Sequence, residues 1–222
     1  MAQLRGGLTP RVERVERDGK TLWIKRAERL GWRMRLQKGD PRAAFEAERT
    51  AHHRYSDLGL PVPRIVEEGP GFFVTGDAGP TLRDLLWSDS PEWDTALPAA
   101  ACALAGFHAA GVTHGRPNLK DICWREGRVT FLDLERAGRG TTDLDLLVFL
   151  FSVTSDSHGD RAAFQVARDA YLAAGERAVW EAARARVRRL RPLSWLLVPV
   201  AWVQPKNREF RAIGPFMRFV LS

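Results

Sequence analysis

Residues 104–135 read LAGFHAAGVTHGRPNLKDICWREGRVTFLDLE, and this stretch decides the fold that the chain is expected to adopt. It begins in a helix predicted over Pro98–Ala110, because proline suits the first position of a helix. A hairpin is predicted over Asp121–Leu134, since Glu126-Gly127 favours a two-residue turn between strand-forming residues. A polar loop therefore connects a helix to a hairpin, and Asp133 lies near the end of the second strand.

The sequence before this stretch predicts a small sheet with one helix. A hairpin is expected over Arg11–Ile24, because Asp18-Gly19 is a strong turn signal between alternating residues. A helix is predicted over Ala43–Leu58, followed by strands at Arg64–Val66 and Gly71–Thr75.

The sequence after residue 77 is mostly helical. Further helices are predicted over Leu82–Leu86, Asp143–Ser152, Arg161–Ala174 and Ala178–Leu190. The chain is therefore expected to be an α+β protein, with a β-rich part over residues 1–77 and a helical part over residues 78–222.

The composition is that of an ordinary globular protein. The chain has 222 residues, of which 45% are hydrophobic and 27% charged, enough for a sizeable core. Cys102 and Cys123 lack metal-site spacing, so both are expected to be reduced thiols. The longest apolar run, Leu193–Val203, is shorter than the roughly 20 residues that cross a bilayer. A cytoplasmic location is predicted, because the beginning of the sequence also lacks a signal-length apolar core.

Four separated features carry the candidate chemistry. Lys25 ends an apolar strand, where its ammonium group is expected to face an anion or water. Glu48, on the next helix, could pair with it. The loop His114–Asp121 is the third feature, and Asp133, whose carboxylate could bind Mg²⁺, is the fourth. Each has an ordinary explanation as a solvated or turn-forming residue, so the prediction depends on their joint order.

These features resemble those of the protein-kinase-like superfamily. Residues 104–135 are similar to the catalytic core of its bacterial branch of lipopolysaccharide-core (Kdo/heptose) kinases, RIO-like kinases and aminoglycoside phosphotransferases, whose pattern runs LxxLHxxGvxHGDxxxxNIxxxxGxvxxIDxE. Residues 45–63, FEAERTAHHRYSDLGLPVP, and 72–86, FFVTGDAGPTLRDLL, are similar to its regulatory helix and inter-lobe hinge. The resemblance covers about residues 10–150 and implies a two-lobed kinase-like fold, with a small β-rich N-lobe and a helical C-lobe, that uses ATP and Mg²⁺.

The resemblance implies a role for each matching residue. Lys25 would contact the α- and β-phosphates of ATP, and Glu48 would orient it. His114 would be the structural histidine of the catalytic loop. Asp133 would bind Mg²⁺ together with Glu135.

Two more roles follow from the same resemblance. Backbone groups near residues 73–78 would meet the adenine, and the nucleotide-contacting positions assigned there are Phe73, Thr75 and Asp77. Either Asp143 or Asp145, in TTDLDLL, would anchor the catalytic loop from the following helix.

The chain departs from the family pattern at two positions. Asp121 stands where the family has a metal-binding asparagine, and a carboxylate can still chelate. Arg116 replaces the catalytic aspartate, and its guanidinium cannot accept a proton. One interpretation is a pseudokinase. The other is that Arg116 is a built-in cation for the transferring group or an anionic acceptor, since an arginine near the γ-phosphate can be worth roughly 10³–10⁵-fold. The predicted catalytic residues are Arg116, Asp121, Asp133 and His114, and the predicted metal ligands are Asp121, Asp133 and Glu135.

The acceptor is expected to be a small or lipid-linked anionic molecule. Residues 136–142 leave no room for the long activation segment on which protein kinases dock peptides. Gly115 also replaces the arginine that reads an activation-loop phosphate. Gly6-Gly7 could be a remnant of the glycine-rich phosphate loop or a flexible start, while the absence of GxxxxGK[ST] and GxGxxG excludes Walker and Rossmann sites.

The basic and Trp-rich segment 180–203 has two interpretations. It could lie against anionic lipid at the inner membrane face, or it could be a solvated basic helix followed by a packed core helix, which we favour. The net charge of +7 attracts anions, but no nucleic-acid partner is expected, because no recognisable binding motif accompanies it. A nucleotide-binding pseudokinase and an enzyme that transfers AMP remain alternatives to a phosphotransferase.

Overall fold

A computed structural model describes residues 10–27, 41–191 and 208–222. Gly6-Gly7 and residues 192–203 of the Trp-rich segment lie outside the described residues. The described chain contains an antiparallel sheet, a separate hairpin and a set of helices. The prediction of an α+β protein is confirmed.

The N-terminal sheet has four antiparallel strands in the order β1-β2-β4-β3. The strands are β1 (Val12–Arg17), β2 (Lys20–Arg26), β3 (Ile65–Gly69) and β4 (Phe72–Gly76). The predicted turn between β1 and β2 is present, since Asp18 and Gly19 both adopt positive φ (52° and 70°). This register places Lys25 of β2 opposite Phe73 of β4.

Helix α1 (Pro41–Asp57) packs on this sheet. Its buried stripe repeats at helical spacing and consists of Phe45, Glu48, His52 and Tyr55. The Phe45 and Phe73 rings stack with centroids 5.3 Å apart, which fixes the helix against β4. Two polar residues, Glu48 and His52, are therefore buried on the same face of the helix as the aromatic side chains.

The second hairpin consists of β5 (Ile122–Arg125) and β6 (Arg128–Phe131). Glu126 and Gly127 form its turn with φ values of 50° and 78°, as predicted. The Trp124 amide donates to the carbonyl of Pro80 (2.9 Å). This bond ties the hairpin to the segment that leaves the N-terminal sheet.

The helical part of the chain forms the larger core. Its helices are α2 (Leu82–Trp87), α3 (Trp93–Ala109), α4 (Thr142–Asp156), α5 (Arg161–Ala174), α6 (Arg177–Leu190) and α7 (Arg208–Leu221). Fully buried side chains from α3, α4 and α5 meet at its centre, among them Leu104, Phe107, Phe149, Leu150 and Phe164. No helix within the described ranges is long and apolar enough to cross a membrane.

The predicted start of α3 at Pro98 is wrong. The helix begins at Trp93, five residues earlier, and contains Pro98 in its second turn. A proline there removes one backbone donor, but Ala96, Leu97 and Ala100 around it are buried. Burial of this apolar face extends the helix through the proline.

Helix α6 contains the described half of the 180–203 segment, and the choice between the two interpretations of that segment stays a prediction. Trp180, Ala183 and Val187 are buried on one face. Its arginines include Arg184, which donates to the Val220 carbonyl of α7 (3.2 Å).

Candidate functional site

Lys25 and Glu48 form the predicted ion pair. Lys25 Nζ lies 2.5 Å from Glu48 Oε1, and only 17% of the lysine and 1% of the glutamate side chain are exposed. Burial raises the pKa of the Glu48 carboxyl, and the nearby charge of Lys25 opposes that rise. The other oxygen, Glu48 Oε2, is buried with no hydrogen-bond partner among the described residues. Glu48 therefore holds the ammonium group through one of its two oxygens.

Asp133 and Glu135 bring further carboxylates to the same ammonium group. Asp133 follows β6 in a left-handed conformation (φ 58°, ψ 59°), which aspartate adopts more readily than most residues. Lys25 Nζ lies 3.9 Å from Asp133 Oδ1 and 3.7 Å from Glu135 Oε1. Arg11, which precedes β1, also pairs with Glu135. Lys25 and Asp133 therefore lie close together, as expected, whereas a nucleotide cleft shared by them stays a prediction. We call the space around these charges the cleft.

Arg116 points into this cleft. Its Nη2 atom lies 3.3 Å from Asp133 Oδ2, and 44% of its side chain is exposed. A permanently protonated guanidinium cannot accept a proton from an acceptor hydroxyl. It can bind phosphate or carboxylate oxygens through two parallel N–H groups, so position 116 supplies a cation rather than a base.

His114 supports the loop that presents Arg116. Its side chain is fully buried, and Nε2 donates to the Leu132 carbonyl (2.7 Å). That tautomer leaves Nδ1 free to accept the Arg116 amide (3.4 Å). Burial lowers the pKa of His114, although Asp145 and the Leu132 carbonyl oppose the shift. The predicted structural role is consistent with a neutral ring that touches backbone on both sides.

Asp145, of the two predicted candidates, anchors this loop. Its carboxylate accepts the amides of His114 and Gly115, each at 2.7 Å, and only 2% of the side chain is exposed. His108 Nε2 lies 3.4 Å from the same carboxylate. Asp143 instead pairs with Arg186 at 2.6 Å. Hydrogen bonds from Arg186 and a hydroxyl lower its pKa below the ordinary value, against the opposing effect of burial.

Gly115 is required for the loop to pass close to the backbone of Arg136, which lies in the turn that follows β6. Its φ is 90°, where residues with a side chain are strained. A Cβ atom there would collide with the carbonyl oxygen of Arg136. The glycine thus permits a close backbone approach behind Arg116.

Asp121 lies at the far end of the loop, in a 3₁₀ turn (Leu119–Asp121). Its Oδ2 accepts a hydrogen bond from the side-chain amide of Asn118 (3.2 Å), and its Oδ1 lies 3.5 Å from Lys120 Nζ. Its carbonyl accepts the Leu132 amide (2.7 Å), which joins the loop to the end of β6.

The structure does not gather the predicted metal ligands into one group. Among the described residues no set of three or more acidic, His or Cys side chains is arranged to hold a metal ion. Asp133 already faces cations at both oxygens, and Asp121 faces Lys120 and Asn118. This donor set does not fit a Mg²⁺ ion held jointly by Asp121, Asp133 and Glu135.

Phe73 and Thr75 are placed inside the sheet rather than beside an open pocket. The Phe73 ring packs against Phe45 and against His52 (centroids 5.2 Å apart), on the side of α1. Since β4 lies between β2 and β3, its backbone groups serve the two neighbouring ladders. Adenine contacts through these two positions are not favoured by this arrangement.

Asp77 connects the segment that follows β4 to β2 and to β5 through hydrogen bonds and an ion pair. Its carboxylate accepts Trp23 Nε1 (2.9 Å) and pairs with Arg125 of β5, and its backbone amide donates to Thr21 (3.2 Å). Arg125 also donates to the Asp77 carbonyl (3.2 Å). Burial would raise the pKa of Asp77, but these hydrogen bonds lower it. An adenine-binding backbone group would have to come from the residues after Asp77.

Sequence reasoning missed Arg11, Arg125 and Trp23. Each contacts a predicted site residue, yet the contact joins segments that are distant in the sequence; Arg125 and Asp77 are 48 residues apart. Only the position of Arg125 next to a predicted turn hinted that its side chain could reach outward from a hairpin end.

A separate surface cavity of about 410 Å³ lies between α4 and α6. It is lined by Asp143, Ala182, Ala185, Arg186, Arg189 and Leu190. Its acid is already paired with Arg186, and none of its residues belongs to the cleft.

No protein-family model matches the chain. Among curated proteins, it is similar to an uncharacterized protein of Haemophilus influenzae, with 32% identity over 128 residues. The match covers 56% of this chain and 53% of that protein, so the chain spans about half the length of the relative it matches.

Proposed function

We propose that this chain is an ATP-dependent phosphotransferase of two-lobed, kinase-like fold, acting on a small or lipid-linked acceptor. The N-lobe would comprise residues 1–77 and the C-lobe residues 78–222. The observation that carries the proposal is the meeting of Lys25 from the sheet, Glu48 from α1 and Asp133 from the second hairpin. A mostly buried ammonium group held between carboxylates of separate elements is suited to receive phosphate oxygens.

The anchoring of the loop supports the same proposal. Asp145 fixes the backbone of His114 and Gly115, so Arg116 is presented from a rigid support at the edge of the cleft. Preorganised cations around a transferring phosphoryl group account for much of the catalysis of such reactions. A Mg²⁺ ion entering with ATP would have to displace Arg116 from Asp133.

A second candidate is a nucleotide-binding module without transfer activity. The pairing of Arg116 with Asp133 favours it, because the position of the expected base is occupied by a cation that neutralises the neighbouring carboxylate. Both candidates require nucleotide binding in the cleft. They differ in whether phosphate leaves the nucleotide.

Binding is tested first, by calorimetric titration of ATP with and without Mg²⁺. Wild-type protein should bind ATP, and Lys25→Met should weaken binding at least tenfold by removing the cation. Lys20→Met is the matched control, because Lys20 lies exposed at the other end of the same strand. Equal affinity of the two variants, or no ATP binding by the wild type, would reject the proposal.

Transfer is tested with ATP labelled at the γ- or the α-phosphate and a bacterial lipid and small-molecule extract as the acceptor pool. Transfer of the γ-label supports a phosphotransferase, whereas transfer of the α-label identifies AMP transfer. ATP binding without transfer of either label favours the second candidate.

A further inference from the structure

Each carboxylate in the cleft already faces a cation of the chain itself. Asp133 has Arg116 Nη2 at 3.3 Å from Oδ2 and Lys25 Nζ at 3.9 Å from Oδ1. Glu135 has Arg11 as a partner and Lys25 at 3.7 Å. Glu48 has Lys25 at 2.5 Å.

Within the part of the chain that the structure describes, the charges of this network balance. Three carboxylates (Glu48, Asp133 and Glu135) stand against three cations (Arg11, Lys25 and Arg116). A divalent cation placed on Asp133 would be repelled by Lys25 and would have to break the bond to Arg116. A polyphosphate entering the cleft would instead meet cations that are already in place.

Arg116 is built to meet such an anion. Its backbone is held by His114, whose ring is fully buried, and by the loop that Asp145 anchors. Its side chain is 44% exposed, and only Nη2 bonds to Asp133, so further guanidinium donors can reach an incoming anion. Guanidinium groups bind phosphate oxygens through paired N–H donors. They thereby supply the positive charge that a metal ion would otherwise supply.

We infer that Arg116 takes the place of the divalent cation in this cleft, so that nucleotide phosphates bind between Arg116 and Lys25 without a metal ion. This inference rests on the nucleotide binding of the proposed function and concerns binding, whether or not transfer follows. Arg116 would swing from Asp133 toward the phosphates, and Asp133 would keep Lys25 as its partner.

The test is calorimetric titration of ATP in excess EDTA and, separately, in excess Mg²⁺. Wild-type Kd should agree within about threefold between the two conditions. Arg116→Gln should weaken binding in EDTA at least tenfold, whereas Arg128→Gln, an exposed arginine at the start of β6, should leave it unchanged. Arg116→Asp should bind ATP at least tenfold more tightly with Mg²⁺ than with EDTA.

A second measurement uses Mg²⁺ alone. Titration of Mg²⁺ should give no heat with wild-type protein and a measurable site with Arg116→Asp, with circular dichroism melts confirming that the variants are folded. ATP binding that requires Mg²⁺ in the wild type would overturn the inference and leave the proposed function standing. Failure to bind ATP in either condition would reject both.

Discussion

At the scale of single residues, His52 is a side chain whose charge the fold controls. Only 4% of it is exposed, and its Nδ1 donates to the Pro63 carbonyl (3.1 Å). Burial, opposed by that hydrogen bond and aided by the charge of Lys25, lowers the pKa of His52 to about 4. An unfolded histidine titrates near 6.5, so the unfolded chain binds more protons between these values. Stability contributed by neutral His52 is therefore complete above pH 6.5 and is lost as the pH falls toward 4.

Lowering the pH from 7 to 5 should decrease the free energy of unfolding by about 2 kcal/mol through His52 alone. His52→Asn, which can still donate to Pro63 but does not titrate, should remove that part of the slope in urea unfolding at pH 5, 6 and 7. The control is His158→Asn, at an exposed turn with positive φ that asparagine tolerates. Parallel slopes for wild type and His52→Asn would contradict the assignment. Burial also lowers the pKa of His114, which leaves a residual slope of the same sign.

Single residues differ in how far the sequence could place them. The pairing of Glu48 with Lys25 was expected from the sequence, but the burial of Glu48 beside Phe45, His52 and Tyr55 was not, since a helical glutamate is ordinarily exposed. The bond between Arg116 and Asp133 was not expected either. It depends on the rotamer of a long side chain and on a left-handed backbone at Asp133, neither of which spacing reveals.

At the scale of elements, the first turn of α4 holds the loop that carries Arg116. In the wild type each carboxylate oxygen of Asp145 accepts one backbone amide, from His114 or Gly115. Asp145→Asn keeps an acceptor for one of these amides and places an NH₂ group against the second amide. The variant should lose about 1–3 kcal/mol of stability, because a buried donor is left without an acceptor. Hydrogen exchange at the His114 and Gly115 amides should become faster.

Asp143→Asn is the matched control for this loss. It lies in the same turn, but its partner Arg186 is 42% exposed and can be resolvated. Denaturant unfolding should show a loss within about 1 kcal/mol, with unchanged exchange at the loop amides. Equal losses in the two variants would show that Asp145 is not a specific anchor.

Turns were the elements best predicted from the sequence, and the start of α3 was the worst. Asp18-Gly19 and Glu126-Gly127 specify their conformation locally, through residues that tolerate positive φ. Pro98 has a local preference for a helix start, yet tertiary burial of Ala96 and Leu97 extends the helix to Trp93. The residues around Pro98 do not by themselves show the part of the core against which Ala96 and Leu97 pack, and that packing decides where the helix begins.

At the scale of the whole molecule, Asp156 at the end of α4 joins three distant parts of the chain. Only 1% of its side chain is exposed, and it pairs with Arg83 of α2 at 3.0 Å and Arg208 of α7 at 3.1 Å. Both guanidinium groups lie over the Trp87 ring, at 5.3 Å and 4.8 Å from its centroid. Sequence reasoning assigned no role to this network, because Arg83 and Asp156 are 73 residues apart and carry no motif.

Removal of both arginines should cost more than the sum of the two single losses. Arg83→Ala or Arg208→Ala alone leaves Asp156 one of these two cations. The double variant leaves a buried carboxylate whose remaining side-chain partner among the described residues is the hydroxyl of Ser152 (3.3 Å). The excess in the free energy of unfolding, measured in a double-mutant cycle, should be at least about 1 kcal/mol. Arg184→Ala with Arg186→Ala is the control pair, since their ion-pair partners are different acids, and it should be additive within about 0.5 kcal/mol. Additivity at Asp156 would mean that α2 and α7 are held to α4 by apolar packing alone, with each arginine acting independently.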